Sequence, residues 1–290
     1  MQLGVFIFGT ESTISLPVLG REAEARGFES LFVPEHTHIP ASRETPWPGG
    51  AEMPPEYAHA LEPFVGLAAV ASVTTRLRLG TAVCLVPEHD PILLAKEVAT
   101  LDLLSGGRAI FGIGAGWNVE EMRNHGTDPA RRFKLMRERV LAMKQIWTQD
   151  EASFHGEFVN FERIWCWPKP AQKPHPPILI GGDGPYTLQR VVDYADGWFP
   201  IPGRHPDAEE HLRERIGELN RLAAERGRGS IPVTIWGGRA QPQALAQYRE
   251  MGVSRCVFVL RTEGEAVVLA ALDRLAPLVE EFGELTAADR

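Results

Sequence analysis

A carboxylic acid and two histidines lie close together near residue 36 and carry side chains that can move protons. The segment Pro34-Glu35-His36-Thr37-His38 directly follows an apolar run that ends at Val33. An imidazole changes charge near neutral pH, so a histidine can donate or accept a proton in catalysis. His36 is the candidate catalytic residue because it stands immediately after a predicted strand, and His38 is a candidate substrate contact. The alternative interpretation is that both are polar loop residues that bond to the backbone.

Two glycine-rich segments could hold a flat or anionic ligand. Gly112-Ile113-Gly114-Ala115-Gly116 precedes Trp117, and Gly181-Gly182-Asp183-Gly184 precedes a predicted helix. Glycines let the backbone approach a planar ring, and backbone N–H groups at a helix N-terminus favour an anion such as phosphate. The first segment does not fit the dinucleotide-binding pattern Gly-x-Gly-x-x-Gly, because Trp117 stands where the third glycine is needed. An ordinary strand-to-helix connection is the alternative for the second.

Three residues after the first glycine segment offer either chemistry or ordinary packing. Trp117 could form an aromatic wall for an apolar or planar substrate, or it could pack beneath its own loop. Glu120 and Glu121 stand at the start of a helix, where the helix dipole favours acids. We therefore predict that these two carboxylates cap the helix.

Composition disfavours several classes of protein. The chain has 290 residues with 44% hydrophobic content, enough for one large core, so we predict a single domain over residues 1–290. Its formal net charge of −8 argues against a nucleic-acid partner, which normally needs a basic surface. The chain has no apolar run of about 18 residues and no signal-peptide pattern, which predicts no membrane partner and a cytoplasmic location. Cys84, Cys166 and Cys256 are widely spaced, so neither a metal site nor a disulfide framework is predicted.

Apolar strand-like runs alternate with amphipathic helical runs, a pattern typical of a parallel sheet covered by helices. The predicted strands are Leu3–Phe8, Ser30–Pro34, Leu77–Val83, Ala109–Gly114, Ile178–Gly181, Gly197–Ile201, Val233–Trp236 and Cys256–Leu260. Eight strands close an α/β barrel, the (β/α)₈ or TIM barrel. The loops that follow its strands then meet at one rim, where such barrels carry their active sites.

The predicted helices are Ser15–Arg26, Leu61–Thr74, Pro91–Leu104, Ala130–Trp147, Tyr186–Tyr194, Pro206–Arg226, Pro242–Met251 and Glu263–Phe282. The fourth has an apolar stripe at helical spacing, formed by Phe133, Met136, Val140, Met143 and Trp147. Its basic residues, Arg131, Arg132, Lys134, Arg137 and Arg139, predict a solvated face, with contact to a cofactor tail as the alternative. Two insertions interrupt the barrel pattern. One lies at Thr37–His59, after strand 2, and a hairpin-like segment lies at Asp150–Pro177, between helix 4 and strand 5.

The order of these segments resembles the bacterial luciferase-like flavin and deazaflavin oxidoreductases. The resemblance extends from Leu3-Gly4-Val5 to Asp196-Gly197-Trp198 and weakens after about residue 202. It implies a luciferase-like TIM barrel in which Glu35 and His36 face an isoalloxazine-type ring, with His36 as proton donor, proton acceptor or substrate clamp. It further implies a non-prolyl cis peptide behind the ring at Ala82–Val83. The other cofactor contacts that it implies are Ala115, Gly116, Trp117, Gly181 and Gly182.

Two proline-rich segments resemble the branch of this family that uses coenzyme F420, a deazaflavin hydride carrier. They are Pro34–Pro40 and Pro46-Trp47-Pro48-Gly49-Gly50. This likeness predicts hydride transfer between F420 and a small organic substrate. Deazaflavin-dependent sugar-phosphate dehydrogenases of the family have a glutamate at the position of Trp117, so their sugar chemistry is not transferred to this chain.

Two other functions and one assembly state remain as expectations. FMN is the alternative cofactor, and it would support a monooxygenase that uses molecular oxygen on the same fold. A non-catalytic ligand-binding barrel is the second alternative, since fold does not fix function. The family resemblance also implies a homodimer.

Overall fold

The strands of the computed structural model, which describes residues 1–50, 52–204 and 207–283, build one large parallel sheet and one hairpin. They are β1 (Gln2–Phe6), β2 (Ser30–Val33), β3 (Arg78–Thr81), β4 (Cys84–Leu85), β5 (Ala109–Gly114), β6 (Ala152–His155), β7 (Asn160–Ile164), β8 (Ile178–Gly181), β9 (Gly197–Phe199), β10 (Thr234–Trp236) and β11 (Arg255–Val259). The large sheet runs in the order β10-β11-β1-β2-β3-β5-β8-β9, and β4 also pairs with β5. Trp198 and Val233 form a parallel bridge between its two ends, so the sheet is a nearly closed barrel. The predicted (β/α)₈ fold is confirmed.

Helices cover the outside of this barrel at the predicted places. They are α1 (Leu16–Ala25), α2 (Pro63–Ala71), α3 (Pro91–Leu104), α4 (Val119–Asn124), α5 (Arg132–Thr148), α6 (Thr187–Tyr194), α7 (Ala208–Glu225), α8 (Pro242–Glu250) and α9 (Glu265–Phe282). The helix predicted from Pro206 is described from Asp207 onward, because residue 206 lies outside the described residues. Within the described ranges, every helix is too short or too polar to cross a membrane.

Both predicted insertions are present. The first, after β2, includes a 3₁₀ turn at Pro55–His59; Ala51, within it, is outside the described residues. The second contains the antiparallel hairpin β6–β7. The strand predicted over Leu77–Val83 ends earlier than expected, because the chain leaves the sheet at Ala82 and re-enters it as β4.

The inside of the barrel is filled by large side chains rather than left as a channel. Phe6, Phe32 and Phe199 are buried there and form an apolar cluster with neighbouring aliphatic residues. A Cβ atom on Gly80 would lie 2.2 Å from the Phe32 ring, so a glycine at this point of β3 makes room for the phenylalanine. This packed interior lies beneath the loops at the C-terminal ends of the strands.

The apolar stripe predicted for α5 is wrong at its first member. Met136, Val140, Met143 and Trp147 are buried, but Phe133 is 37% exposed. Phe133 lies in the first turn of α5 and is not covered by the barrel. The Arg190 guanidinium carbon lies 3.9 Å from the centroid of its ring and stacks on it.

The basic face of α5 is only partly solvated. Lys134 and Arg137 are exposed, as predicted. Arg139 is half-buried and donates a hydrogen bond to the Val86 carbonyl oxygen, and Arg131 pairs with Glu157 of the hairpin. Two of the five basic side chains therefore hold neighbouring segments in place.

Candidate active site

A cavity of about 270 Å³ opens at the C-terminal ends of the barrel strands. Its lining includes most of the predicted site residues, namely Glu35, His36, Ala82, Val83, Gly116, Trp117, Gly181 and Gly182. A larger cavity of about 610 Å³ lies at the opposite end of the barrel, beside Gln2, Arg78 and Arg255. We assign function to the smaller cavity, because (β/α)₈ barrels carry their chemistry at the C-terminal rim.

Two predicted residues lie outside the lining of this cavity. Ala115 is buried in the loop after β5. His38 turns toward the end of α4, where its Nδ1 lies 2.9 Å from the Thr37 hydroxyl and its Nε2 lies 2.8 Å from Asn124 Nδ2. The proposed contact of His38 with substrate is therefore not supported by its position.

A backbone bulge forms one wall of the cavity. The peptide bond between Ala82 and Val83 is cis, as the family resemblance predicts. Two glycines make room for the Val83 side chain. A Cβ atom on Gly114 would lie 2.5 Å from Val83 Cγ2, and one on Gly181 would lie 2.8 Å from Cγ1. The glycines of the two predicted segments therefore make room for the bulge that projects into the cavity.

His36 is held by a buried carboxylate that the sequence did not identify as its partner. Its Nδ1 lies 2.8 Å from Oε2 of Glu121, and the other carboxylate oxygen accepts a hydrogen bond from the Thr37 backbone N–H. The two side chains are 6% and 1% exposed. The prediction that Glu121 caps α4 is wrong, because the N-cap is Asn118, whose side chain accepts from the Glu121 N–H. Glu120 instead binds a distant segment, because its side chain accepts from the Thr45 backbone N–H.

The tautomer of His36 follows from its two neighbours. The Trp117 indole N–H donates to Nε2 over a long 3.4 Å, so Nε2 is an acceptor. Nδ1 then carries the proton and donates it to Glu121. A histidine ordered by a carboxylate in this way has Nε2 as its basic nitrogen, which here accepts the long hydrogen bond from Trp117.

Glu35 lines the cavity, but its carboxylate is turned away to the strand behind it. It accepts hydrogen bonds from the Leu85 backbone N–H at 2.5 Å and from His89 Nε2 at 2.8 Å. Burial acts to raise the pKa of Glu35, but the hydrogen bond and charge of His89 outweigh it and lower that pKa. Glu35 also lies within metal-ligand reach of Cys84 and His89. These groups are already bonded to each other, so Glu35 is best described as anchoring the backbone that follows the bulge.

Aromatic rings form most of the remaining lining. Tyr57, from the 3₁₀ turn of the first insertion, lies with its ring centroid 5.3 Å from that of His36 and 6.3 Å from that of Trp117. Tyr57 lies in the insertion predicted at Thr37–His59, but nothing in the local pattern singled it out. Phe8 and Trp236, at the ends of β1 and β10, complete the apolar surface.

The second glycine segment is more polar than its sequence suggests. The Gly182 N–H is already bonded to the Phe199 carbonyl oxygen, so it is not free for an anion. His211 and Arg215 of α7 instead reach this loop and bind Asp183. Arg215 of α7 therefore supplies a positive charge at this loop.

These residues fit a flat aromatic cofactor. The Val83 bulge, the paired glycines at 181–182 and the Gly116-Trp117 backbone leave a space with few side chains, and an apolar floor lies below it. One base, His36 Nε2, faces this space. The arrangement suits a reaction in which a planar ring takes or gives electrons while His36 moves a proton.

Comparison with known proteins places this geometry in a family. A profile of the luciferase-like monooxygenases matches residues 1–244. An uncharacterized protein of Mycobacterium tuberculosis is 41% identical over 281 residues, which cover 95% of this chain and 98% of the relative. An F420-dependent glucose-6-phosphate dehydrogenase of Kineococcus radiotolerans is 32% identical over 74% of this chain and 60% of its own length. An FMNH₂-dependent dimethylsulfone monooxygenase of Pseudomonas putida is 32% identical over 55% of this chain and 43% of its own length.

Solved structures share the fold at low sequence identity. The monooxygenase RslO1 of Streptomyces bottropensis superposes with a TM-score of 0.76 at 19% identity, over 97% of this chain and 98% of the other. The F420-dependent tetrahydromethanopterin reductase of Methanopyrus kandleri superposes with a TM-score of 0.73 at 15% identity, over 97% of this chain and 100% of the other. An F420-dependent secondary alcohol dehydrogenase superposes with a TM-score of 0.71 at 17% identity, over 100% of this chain and 99% of the other. The match of the family profile to most of the chain, on this barrel, shows that the protein belongs to the luciferase-like monooxygenase family.

Proposed function

We propose that this protein is an oxidoreductase that transfers a hydride between coenzyme F420 and a small, uncharged organic substrate. The observation that carries the proposal is the buried His36–Glu121 pair, which presents one base to a cavity shaped for a flat ring. The two proline-rich segments favour the deazaflavin over FMN, and the relatives at 32% identity include a user of each cofactor.

Different residues of this chain would hold the cofactor, move the proton and exclude water. Val83, Gly116 and Gly181 would hold the ring, and the bound deazaflavin would supply hydride transfer. In the direction of alcohol oxidation, His36 Nε2 would accept the proton of the hydroxyl group, and the hydride would come from the carbon that bears this group. Glu121 holds the ring orientation of His36 and stabilises its positive charge, and Tyr57 and Trp117 exclude water from the reacting atoms.

The lining of the cavity indicates the class of substrate. Among the described residues that line it, none is a lysine or arginine, and the carboxylate of the lining acid, Glu35, is bonded to His89. A phosphorylated or carboxylated substrate would find no cation there. The aromatic rings favour an apolar alcohol or carbonyl compound, and Trp117 stands where the sugar-phosphate enzymes of the family have a glutamate.

The first experiment titrates the purified protein with F420 and, separately, with FMN, following tryptophan quenching and the fluorescence of each cofactor. We expect selective binding of F420, followed by F420 reduction with propan-2-ol or cyclohexanol as probe substrates. Selective binding of FMN, with oxygen consumption by the reduced flavin, would replace this proposal with the monooxygenase alternative that the dimethylsulfone enzyme represents. Failure to bind either cofactor would favour a non-catalytic barrel.

Replacement of His36 tests the proton-transfer role. We expect His36→Ala to lower turnover roughly 10²- to 10⁴-fold, the usual effect of losing a positioned acid–base group, with little change in the dissociation constant for F420. His155→Ala, on the exposed hairpin, is the matched control and should keep wild-type turnover. Wild-type turnover in His36→Ala would exclude His36 as the base.

A further inference from the structure

The larger of the two cavities, of about 610 Å³, lies at the N-terminal ends of the barrel strands, and the reaction described above makes no use of it. We call it the basal cavity. Its volume falls within the usual range for sites that bind small molecules. Ile110 and Leu179, which belong to the apolar cluster inside the barrel, form part of its lining. This packed interior separates the basal cavity from the candidate active site.

Positive charge is concentrated in the lining of the basal cavity. Arg78, Arg249 and Arg255 line it, and Asp196 is the one lining carboxylate among the residues that the structure describes. The chain as a whole carries a formal net charge of −8, so this excess of cations is a local feature. A cavity lined by one sign of charge attracts ligands of the opposite sign.

Arg255, at the start of β11, is fixed by a buried ion pair with Glu29. The two side chains are 9% and 4% exposed. Its Nε and Nη2 donate to the two carboxylate oxygens at 2.8 and 2.7 Å, and its Nη1 donates to the Thr234 hydroxyl at 3.1 Å. These bonds engage three of the five guanidinium N–H groups, so the positioned cation keeps donors for a further partner.

The acids near the basal cavity do not cancel its charge. Burial acts to raise the pKa of Glu29, but the charge and hydrogen bond of Arg255 outweigh it and lower that pKa, and the charge of Arg78 acts in the same direction. One buried carboxylate is thus shared by two arginines. Asp196 accepts a hydrogen bond from the Ile178 N–H at 2.9 Å. Three arginines against two carboxylates leave one positive charge in excess among these five side chains.

The other two arginines come from separate elements. Arg78, at the start of β3, donates from Nη2 to Oε1 of Gln172 at 3.0 Å, and the Gln172 side-chain amide is in turn held by Asp102 at 2.7 Å. Arg249, near the end of α8, is exposed and donates to the Phe282 carbonyl oxygen at 2.8 Å. Guanidinium groups on one cavity suit an oxyanion, because each can donate two parallel hydrogen bonds to a carboxylate or phosphate.

We propose that the basal cavity is a second ligand site, which binds a small organic oxyanion. The ligand is a carboxylate or phosphate monoester joined to a compact apolar group. The arginines would bind the anionic head, and Pro177 and Pro232, together with the aliphatic side chains of the barrel interior, would contact the apolar group. The proposal goes beyond hydride transfer, because this site lies at the opposite end of the barrel and needs no F420.

Isothermal titration calorimetry of the purified protein without F420 tests the chemistry of the ligand. The probes are phenyl phosphate, benzoate and benzyl alcohol, which share one ring and differ in charge. We expect at least one of the two anions to bind tenfold or more tightly than benzyl alcohol, and the tighter anion identifies the head group. Benzyl alcohol binding as tightly as both anions would overturn the proposal, as would the absence of binding by either anion at millimolar concentration.

Substitutions in the lining test the place of binding. Arg249→Gln removes an exposed cation, and Gln2→Glu adds a negative charge at the start of β1 in the same cavity. We expect each to weaken binding of the tighter anion roughly tenfold or more, as the loss of a charge-assisted hydrogen bond does. Gln243→Glu is the matched control, because it makes the same charge change at the exposed start of α8, outside the lining, and should keep wild-type affinity. Wild-type affinity in both lining variants would overturn the proposal.

A crystallographic measurement needs no substitution. Crystals soaked with 4-bromobenzoate or 4-bromophenyl phosphate should show an anomalous bromine peak in the basal cavity, beside Pro177 and Pro232. A peak only at the other rim, beside Tyr57 and Trp117, would overturn the proposal, because the anion would then occupy the candidate active site. Neither readout involves F420, so a failure of hydride transfer would count against the proposed function and leave the basal site standing.

Discussion

At the scale of single residues, the chemistry of this site depends on which group binds Nδ1 of His36. Glu121 is buried, accepts from His36 and from the Thr37 backbone N–H, and so fixes both the tautomer and the ring orientation of the base. Glu120, its neighbour in the chain, instead binds the backbone of the first insertion at Thr45. The two adjacent glutamates therefore form a natural test pair.

We expect Glu121→Gln to lower turnover roughly 10²- to 10⁴-fold while F420 binding stays close to wild type, because an amide in this place no longer stabilises the imidazolium. Glu120→Gln should change turnover less than about threefold by the same reasoning. Steady-state kinetics with F420 and a secondary alcohol measure both. Equal effects of the two substitutions would contradict the pairing of Glu121 with His36.

Glu88 should also affect stability in a pH-dependent way. The pKa of Glu88 is about 9 in the folded protein, because burial, and then the carboxylates of Glu121 and Glu35, raise it. It is near its ordinary value of 4.5 when this side chain is exposed on unfolding, so the folded state binds the extra proton between these values. Its contribution to stability is therefore complete below about pH 4.5 and is lost as pH rises toward 9, by up to about 1.4 kcal/mol per pH unit. Urea denaturation between pH 5 and 8.5 should show a shallower decline for Glu88→Gln than for the wild type. Parallel declines would show that Glu88 is not protonated in the folded state.

At the scale of elements, the wall of the cavity exists because three strands leave space for one bulge. β3 stops at Thr81, Val83 projects from the sheet, and the missing side chains of Gly114 on β5 and Gly181 on β8 accommodate it. The glycines in this part of the sequence thus act through packing of the bulge. Their direct contact with a cofactor stays a prediction.

Gly114→Ala tests that packing. Its Cβ would lie 2.5 Å from Val83 Cγ2, so we expect a loss of about 1–3 kcal/mol in the free energy of unfolding and weaker F420 binding. Gly217→Ala, on the exposed side of α7 with no atom within 4 Å of the new Cβ, should instead stabilise the protein by about 0.5–1 kcal/mol. Urea denaturation and fluorescence titration provide the two readouts. Unimpaired stability and F420 binding in Gly114→Ala would mean that the bulge does not need this space.

At the scale of the whole molecule, apolar side chains remain exposed on one side of the barrel. Val65 begins α2, Leu93 begins the neighbouring α3, and both are more than half exposed. Lys96 of α3 donates to the Trp167 carbonyl oxygen, which places the exposed Trp167 beside this surface. Apolar groups gathered in this way favour contact with another protein surface, and a second copy of the chain is the partner that we propose.

We therefore expect a homodimer in light scattering coupled to gel filtration. Leu93→Asp should shift the protein toward the monomer, because a charge in an apolar interface is costly to bury. Leu61→Asp places a charge at another exposed leucine, just before α2. Its oligomeric state is compared with that of Leu93→Asp to show how a charge elsewhere on this side of the barrel acts. A wild-type monomer at micromolar concentration would contradict the proposed assembly.

The sequence by itself determined the number and order of the barrel elements. The helical pattern placed α3 at its observed bounds, and the proline at its start and the Asp90 side chain that caps it are local features of the same segment. The family resemblance added the cis peptide at Ala82–Val83 and identified half of the residues that line the cavity. Because the loops after parallel strands share one rim, His36 and the two glycine segments could be assigned to one place before their contacts were known.

Only the tertiary structure decided how these residues are paired. His36 and Glu121 are 85 residues apart, and Glu35 and His89 are 54 apart, so neither contact has a local signal. Such pairs depend on barrel closure and on the path of each loop, which also turns His38 away from the cavity and brings Tyr57 into it. The same closure buries Glu88 behind Gly116 and thereby raises its pKa to about 9, so that it is a neutral acid at pH 7. The types of side chain determine which reactions are chemically available. Burial and long-range contacts determine which of these side chains lie together in the site.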